Sequence, residues 1–129
     1  MIVANKKPNF VDERGEITDI IENTSVNSIT ILNTKKGYVR ANHYHKETTQ
    51  YTYVIEGSFR YYAQAPNEET KEVIIAKGDL VISPPMESHA FEALEDSVLL
   101  ACCQGPRMGS EYETDTFRVE VPLCLPKCA

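Results

Sequence analysis

Hydrophobic and polar residues alternate with a period of two along most of this chain of 129 residues. Such alternation predicts β-strands with one buried face, and the alternating segments are rich in β-branched and aromatic residues. Glycine, proline and asparagine lie between the segments, as turns require. We predict strands at residues 17–21, 28–32, 39–45, 51–55, 59–62, 72–75, 80–82, 90–94 and 98–101.

The spacing of these segments also predicts the architecture. No stretch has the 3.6-residue periodicity of an amphipathic helix of three turns, and we find no internal repeat. Many short, evenly spaced strands in one domain predict an all-β jelly-roll barrel, also described as a double-stranded β-helix. We expect one domain over residues 1–129, with the barrel core at 28–103. Residues 1–27 would supply N-terminal strands that pack or exchange in a dimer, and 104–129 a C-terminal segment.

The three histidines of the chain lie where strand geometry can bring them together. His43 and His45 are two residues apart, so both rings point to the same face of a strand. Gln50 directly precedes the next predicted strand, and His89 directly precedes a later one. We expect these four side chains to meet inside the barrel. The alternative is that the histidines merely pack and hydrogen-bond as half-buried strand residues.

Three imidazoles and one amide oxygen can serve as ligands to a divalent metal ion. The set His43, His45, Gln50 and His89 suits zinc, iron, nickel or manganese, and ligand type alone does not choose among them. The same imidazoles can also act as acid–base groups without a metal. Both interpretations of the site stay open at this point.

The same parity argument predicts which side chains point away from the interior of the barrel. With Gln50 turned inward, Tyr51 and Tyr53 point outward and make that face apolar. An apolar outer face predicts a homodimer, or cover by a terminal segment. On the preceding strand, Arg40 faces outward when His43 faces inward, unless a β-bulge turns it towards the pocket.

Composition narrows the choice of partner and compartment. The 13 basic and 19 acidic residues give a net charge of −6, which argues against nucleic acid as a partner. An anionic small molecule could still bind where several arginines converge. No window approaches the roughly 18 apolar residues of a membrane span, and no signal peptide is evident, so we expect a cytoplasmic protein. We expect its four cysteines to be free thiols.

The spacing of the candidate site residues resembles that of the cupin superfamily. The first cupin motif is matched by Gly37-x5-His43-x-His45-x4-Gln50-x6-Gly57, with glutamine in place of the usual glutamate. The second motif is matched at Gly78, Pro84 and His89, while Met86 and Ala93 replace its second glycine and its asparagine. The resemblance covers roughly residues 30–100, and implies a small β-barrel that usually binds a divalent metal ion.

A narrower resemblance concerns residues 12–15 and 39–46. Asp-Glu-Arg-Gly and Val-Arg-Ala-Asn-His-Tyr-His-Lys are similar to segments of dTDP-4-dehydrorhamnose 3,5-epimerases and dTDP-4-dehydro-6-deoxyglucose 3,4-ketoisomerases. This resemblance implies that Arg40 contacts phosphate, that His43 is the catalytic base and that His45 is its partner. Ala41 stands where these families often have glycine. Residues 112–118 also resemble the ends of small cupins from glycan-biosynthesis gene sets.

Three functions are consistent with these observations. The first is an isomerase or epimerase acting on a keto-sugar or nucleotide sugar, because imidazole supplies a base near neutral pKa for a proton next to a carbonyl. The second is a metal-dependent cupin, such as a dioxygenase, a lyase or a uronate isomerase. The third is a sugar-binding barrel without catalysis. We rank the first ahead of the second.

Overall fold

The computed structural model describes residues 1–106 and 114–124, which contain strands and turns and no α-helix. The strands are β1 (Ile2–Asn5), β2 (Phe10–Asp12), β3 (Gly15–Ile17), β4 (Ser28–Thr34), β5 (Val39–Tyr44), β6 (Thr49–Glu56), β7 (Ser58–Gln64), β8 (Lys71–Ala76), β9 (Asp79–Ser83), β10 (Ser88–Ala93), β11 (Ser97–Gln104) and β12 (Phe117–Arg118). The described residues contain no helix that could span a membrane.

Two five-stranded antiparallel sheets form the body of the protein. The first sheet has the order β1-β9-β6-β11-β4 and the second has the order β12-β5-β10-β7-β8. The chain repeatedly crosses from one sheet to the other, and this is the connectivity of a jelly roll. A separate hairpin of β2 and β3 precedes β4. The predicted all-β jelly-roll class is therefore confirmed.

Alternation along β6 follows the predicted parity. Gln50, Thr52 and Val54 are buried, whereas Tyr51 and Tyr53 between them are only partly buried. The inward positions of the two sheets build the apolar core, which closes one end of the barrel. Its buried members are Val54, Phe59, Tyr61, Ala63, Ile75, Val81, Phe91, Ala93 and Leu99.

The predicted strand at 17–21 is wrong. β3 ends at Ile17, and the side-chain oxygen of Asn9 accepts the backbone N–H of Asp19 at 2.6 Å. This bond takes a donor that a continuing strand would use in its ladder. The short strands β1, β2 and β12 were not among those predicted individually. β1 pairs with β9 of the same chain.

A β-bulge interrupts β5 just before the first histidine. His43 lies opposite His89 and Ala41 lies opposite Ala90, so Asn42 has no opposite residue on β10. Ala41 and Asn42 both have positive φ, at 74° and 56°. The extra residue shifts the register of the strand on its N-terminal side, which brings the exposed Arg40 opposite the buried Phe91.

Residues 115–124, which we call the C-terminal strap, lie along the free edge of β5. Phe117 and Arg118 pair with Tyr44 and His43 across this edge. The Asn42 side chain accepts from the backbone N–H of Leu123 and donates to the carbonyl of Cys124. The bulge residue therefore anchors the far end of the strap.

The cysteines form no disulfide within the described residues. Cys102 and Cys103 are both buried on adjacent positions of β11, and Cys124 is partly buried on the strap. Cys128, Tyr112 and Glu113 lie outside the described residues.

Candidate functional site

Three imidazole rings meet at the open end of the barrel. The ring centroids of His43 and His45 lie 4.9 Å apart, those of His43 and His89 4.8 Å, and those of His45 and His89 5.5 Å. One nitrogen from each ring lies within 4.8 Å of the others. All three are buried, His89 completely. The structure therefore brings together every histidine that the sequence singled out.

Different elements carry the three rings. His43 follows the bulge on β5 and lies across the ladder from His89 on β10, so the two face the same interior space. His45 comes directly after β5. Gln50 lies near the start of β6, on the opposite sheet. Both sheets therefore contribute side chains to the site.

Hydrogen bonding fixes which nitrogen of His45 faces the site. Its Nδ1 lies 2.6 Å from the backbone carbonyl oxygen of Asp115, an atom that can only accept. Nδ1 must therefore carry the proton, and in the neutral ring Nε2 has a lone pair. This Nε2 lies 3.3 Å from Oε1 of Gln50, whose own amide nitrogen donates to Thr52 at 2.9 Å. A cation between these atoms would satisfy both of them, and so would a rotated Gln50 amide that donates its N–H to His45, because the Thr52 hydroxyl can donate as well as accept.

His89 has a similar arrangement. Its Nδ1 lies 3.4 Å from the carbonyl oxygen of Glu87, a long contact, and its buried Nε2 has no hydrogen-bond partner among the described residues. Burial lowers the pKa of His89 well below the ordinary imidazole value, and the neighbouring His43 and His45 lower it further. His89 is therefore neutral near pH 7 and presents a lone pair to the site.

This donor set fits a divalent metal ion. Neutral imidazoles whose other nitrogen is fixed by a backbone carbonyl are typical metal ligands. The unpartnered Nε2 of His89 and the facing lone pairs of His45 and Gln50 are what a bound cation would satisfy. His43, His45, Gln50 and His89 are the residues that would hold it.

A cavity of about 270 Å³ opens above the imidazoles. His43 is the only one of the three histidines that lines it, together with Gln50 and Thr52. Arg40 and Arg118 line the same cavity, and none of its lining residues in the described part of the chain is acidic. The cavity is therefore positive in a protein whose net charge is negative. Its remaining lining residues are Leu32, Val39, Ala41, Phe91, Leu99 and Ala101.

The bulge gives Arg40 a defined place at this cavity. Its guanidinium donates to Oγ1 of Thr34 at 3.2 Å and to the carbonyl of Asn33 at 2.7 Å. A guanidinium has five N–H donors, so others stay available for an anion. Sequence parity alone had Arg40 facing outward, and Arg40 is indeed exposed, but the bulge places it where it also lines the cavity.

Sequence reasoning missed one residue of the site. Asp115 is 2% exposed, and its carboxylate accepts the backbone N–H groups of Lys46, Glu47 and Thr48 as well as the Thr48 hydroxyl. Burial would raise the pKa of this carboxyl, but these hydrogen bonds outweigh it and lower the pKa. No period or spacing connects Asp115 with the histidines in sequence. Its only signal was the weak resemblance of the tail.

The fold is that of the small cupins found among dTDP-sugar epimerases and ketoisomerases. The sequence model for the family described as "Polysaccharide biosynthesis C-terminal domain" matches residues 10–117. The chain belongs to this family.

Solved structures with the same fold include several enzymes. The 3,4-ketoisomerase QdtA from Thermoanaerobacterium thermosaccharolyticum is 18% identical, with a TM-score of 0.75 over 92% of this chain and 88% of that one. The dTDP-4-dehydrorhamnose 3,5-epimerase from Sulfolobus tokodaii is 21% identical, with a TM-score of 0.69 over 83% of this chain and 70% of that one.

A third similar structure is a longer protein. The capsular polysaccharide assembling protein CapF from Staphylococcus aureus is 25% identical, with a TM-score of 0.66 over 90% of this chain. The match covers 33% of CapF, so this chain corresponds to about one third of that protein. No curated protein matches the sequence.

Proposed function

We propose that this protein is an isomerase or epimerase that acts on a keto-sugar carried by a nucleoside diphosphate. The observation that carries the proposal is the pairing of a buried imidazole cluster with two guanidinium groups at one cavity. The imidazoles suit proton transfer next to a carbonyl, and the guanidinium groups suit phosphate.

His43 is the best candidate for the base. It is the only histidine of the cluster that lines the cavity, so its ring is the one that a bound sugar can reach. It would take the proton next to the sugar carbonyl. His45 and His89 lie within 4.8 Å of it and would share the resulting charge. Arg40 would hold a phosphate, as the family resemblance implies.

The size of the cavity supports a ligand in two parts. About 270 Å³ is just below the usual range for small-molecule sites, and suits a single sugar ring. A second, more open groove of about 370 Å³ shares Val39 and Arg40 with it and also carries Lys35 and Tyr38. A diphosphate lying at Arg40 would connect the two spaces. QdtA has been solved in complex with TDP-4-keto-6-deoxyglucose, a ligand of this form.

Solvent exchange tests the proposal directly. The protein is incubated in D₂O with TDP-4-keto-6-deoxyglucose, and deuterium entering the sugar is followed by NMR. We expect deuterium next to the carbonyl, and its loss in His43→Gln. A matched control is Asp12→Asn, whose carboxylate bonds Arg14 on the β2–β3 hairpin. Binding of the nucleotide sugar with no exchange would favour the non-catalytic sugar-binding barrel and contradict the proposal.

A metal-dependent reaction is the second candidate, and the facing lone pairs of His45, Gln50 and His89 favour it. A bound divalent ion would supply Lewis-acid stabilisation of the enediolate oxygen. His43 would then be a ligand and not the base. Chelation separates the candidates: exchange that survives exhaustive treatment with EDTA supports the metal-free reaction. Exchange that is lost with EDTA and restored by Zn²⁺, Fe²⁺, Ni²⁺ or Mn²⁺ supports the second.

The proposed assembly is a homodimer through the outer face of the first sheet. Its outward residues are apolar across adjacent strands, and two of them, Ile29 and Ile31, are 68% and 62% exposed. The other members of this face are Tyr51, Tyr53, Ile82 and Leu100. Such a continuous face suits an isologous contact with a second copy.

Light scattering tests the dimer. Ile31→Glu should reduce the mass to that of a monomer, because it introduces a charge into the proposed apolar contact. Ile74→Glu on β8 is the control, since Ile74 is 57% exposed on the other sheet. An Ile31→Glu variant that keeps the wild-type dimer mass would contradict this interface.

A further inference from the structure

We propose that Asp115 is a positioning residue that fixes the tautomer and the orientation of His45 from the C-terminal strap. The inference rests on the proposed function only in taking the imidazole cluster as the working site. It concerns a residue that lies 70 positions away from His45 in sequence.

The backbone of Asp115 acts on the ring. Its carbonyl oxygen receives the Nδ1–H of His45 in a short bond of 2.6 Å, and both partners are buried. Since a carbonyl offers no proton, this contact excludes the tautomer that carries the proton on Nε2. The lone pair of Nε2 is thereby turned towards Gln50 and the centre of the cluster.

The side chain of Asp115 acts on the backbone that follows the ring. Its two carboxylate oxygens receive N–H groups from three consecutive residues, at 2.9 Å from Lys46, 3.1 Å from Glu47 and 2.9 Å from Thr48. The Thr48 hydroxyl adds a bond of 2.7 Å. Converging N–H groups of this kind hold an anion strongly. One residue therefore fixes His45 at the ring and at the segment immediately after it.

Other contacts hold the strap without Asp115. Asn42 binds the backbone of Leu123 and Cys124, and Phe117 stacks on Tyr44 with ring centroids 5.5 Å apart. A variant at position 115 should therefore retain the strap and change the geometry at His45. This separation makes the role of Asp115 accessible to experiment.

Nitrogen NMR of the imidazole rings tests the proposal. The metal-free protein is labelled with ¹⁵N-histidine and examined at about pH 8, above the ordinary imidazole pKa, in the absence of substrate. We expect His45 of the wild type to have a single protonated Nδ1 and an unprotonated Nε2. In Asp115→Ala, the separate Nδ1–H signal should be lost and both nitrogens should move to exchange-averaged shifts. Asp115→Asn retains one acceptor oxygen and should give a smaller change.

Controls separate positioning from loss of structure. Asp12→Ala removes one carboxylate of the β2–β3 hairpin and should leave the His45 signals unchanged. Thr48→Val deletes only the hydroxyl bond to Asp115, so it provides a mild variant if Asp115→Ala fails to fold. It should shift the His45 nitrogens in the same direction as Asp115→Asn.

Two outcomes would overturn the inference. One is a wild-type His45 that carries its proton on Nε2. The other is a folded Asp115→Ala or Thr48→Val protein with the His45 nitrogen shifts of the wild type. Because no nucleotide sugar enters this experiment, its result is independent of the D₂O assay. The positioning role can fail while the proposed reaction stands, and the reverse also holds.

Discussion

The two ends of the barrel are built from the same strands but have opposite character. On β10, His89 belongs to the site, whereas Phe91 and Ala93 belong to the core. On β6, Gln50 contacts His45 at the site, whereas Val54 lies in the core. A strand thus changes from polar to apolar inward positions over a few residues.

Side chains at the core end are closely packed, whereas the site end leaves polar atoms without hydrogen-bond partners among the described residues. Phe91 packs against Tyr61 and Phe59 with ring centroids 4.9 and 6.1 Å apart, as close-packed interiors require. The site end has an unpartnered imidazole nitrogen and facing lone pairs. It also has non-glycine residues with positive φ at Ala41 and Met86. The comparison teaches that the core end supplies the close apolar packing, and that the site end keeps unfavourable features which binding can use.

The largest loss of stability should come from shortening a buried side chain at the core end. Ile75 on β8 is completely buried, and its neighbour Ile74 is 57% exposed. Ile75→Ala should lower the free energy of unfolding by about 2–5 kcal/mol. The substitution leaves a new cavity in the core, which the surrounding side chains fill only in part. Ile74→Ala should change it by about 0.5 kcal/mol or less. Denaturant unfolding measures both, and equal losses would contradict this division of the strand.

The next effect should come from the carboxylate that holds the site end. Asp115→Asn should lower the free energy of unfolding by about 2 kcal/mol at neutral pH, since a buried charged acceptor is lost. The folded-state pKa of Asp115 lies below its ordinary value of 3.8. Its stabilisation is therefore present above that value and lost as the pH falls through the folded-state pKa.

The pH dependence distinguishes this carboxylate from a merely structural contact. The difference between the wild type and Asp115→Asn should shrink progressively below about pH 5. The Asp12→Asn control should lose little stability at any pH, because its partner Arg14 is 79% exposed. A wild-type advantage over Asp115→Asn that stays constant down to acid pH would refute a charge-based role.

The sequence predicted well what strand parity alone decides. The buried Gln50, Thr52 and Val54 and the outward Tyr51 follow from a period of two, which is a local property. These features need no knowledge of distant parts of the chain. The convergence of His43 and His89 is a long-range feature, and it was predicted from the resemblance of the two motifs to those of cupins.

The features that the sequence did not reveal depend on long-range contacts or on backbone conformations that have no local sequence pattern. The bulge at Ala41 and Asn42 places Arg40 at the cavity, and no glycine marks this bulge in the sequence. Asp115 reaches the site from 67–70 residues away, on a strap whose only strand has two residues. Neither periodicity nor spacing could have revealed these features.

Most substitutions of buried residues lower the free energy of unfolding, but replacing the unpartnered imidazole should raise it. His89→Leu should raise the free energy of unfolding of the metal-free protein by about 1–2 kcal/mol, because an unsatisfied buried nitrogen is removed. The same variant should no longer be stabilised by Zn²⁺, if the site binds that ion in the wild type. Thermal unfolding with EDTA and with Zn²⁺ measures both. A less stable metal-free variant would mean that the packing of His89 outweighs its missing bond.

The smallest effect should distinguish two turns of similar geometry. Ala65-Pro66-Asn67-Glu68 and Pro84-Pro85-Met86-Glu87 each close with the glutamate N–H bound to the first carbonyl, at 3.1 and 3.3 Å. Their third residues, Asn67 and Met86, have φ values of 62° and 72°. Asparagine tolerates this left-handed region, whereas methionine is strained in it by about 1 kcal/mol. The strained turn is the one at the site, where Met86 donates its N–H to the carbonyl of His45 at 2.6 Å.

Exchanging the third residues tests whether the strain belongs to the site end. Met86→Asn should raise the free energy of unfolding by up to about 1 kcal/mol, and Asn67→Met should lower it by a similar amount. Chemical denaturation of the two single variants and of the double variant measures the effects. The double variant measures whether the two effects add or couple, because Gln64 and Ser88, which border these turns, lie opposite each other on neighbouring strands. If Met86→Asn instead destabilises the protein, the exposed methionine side chain contributes more to the site end than its backbone strain removes.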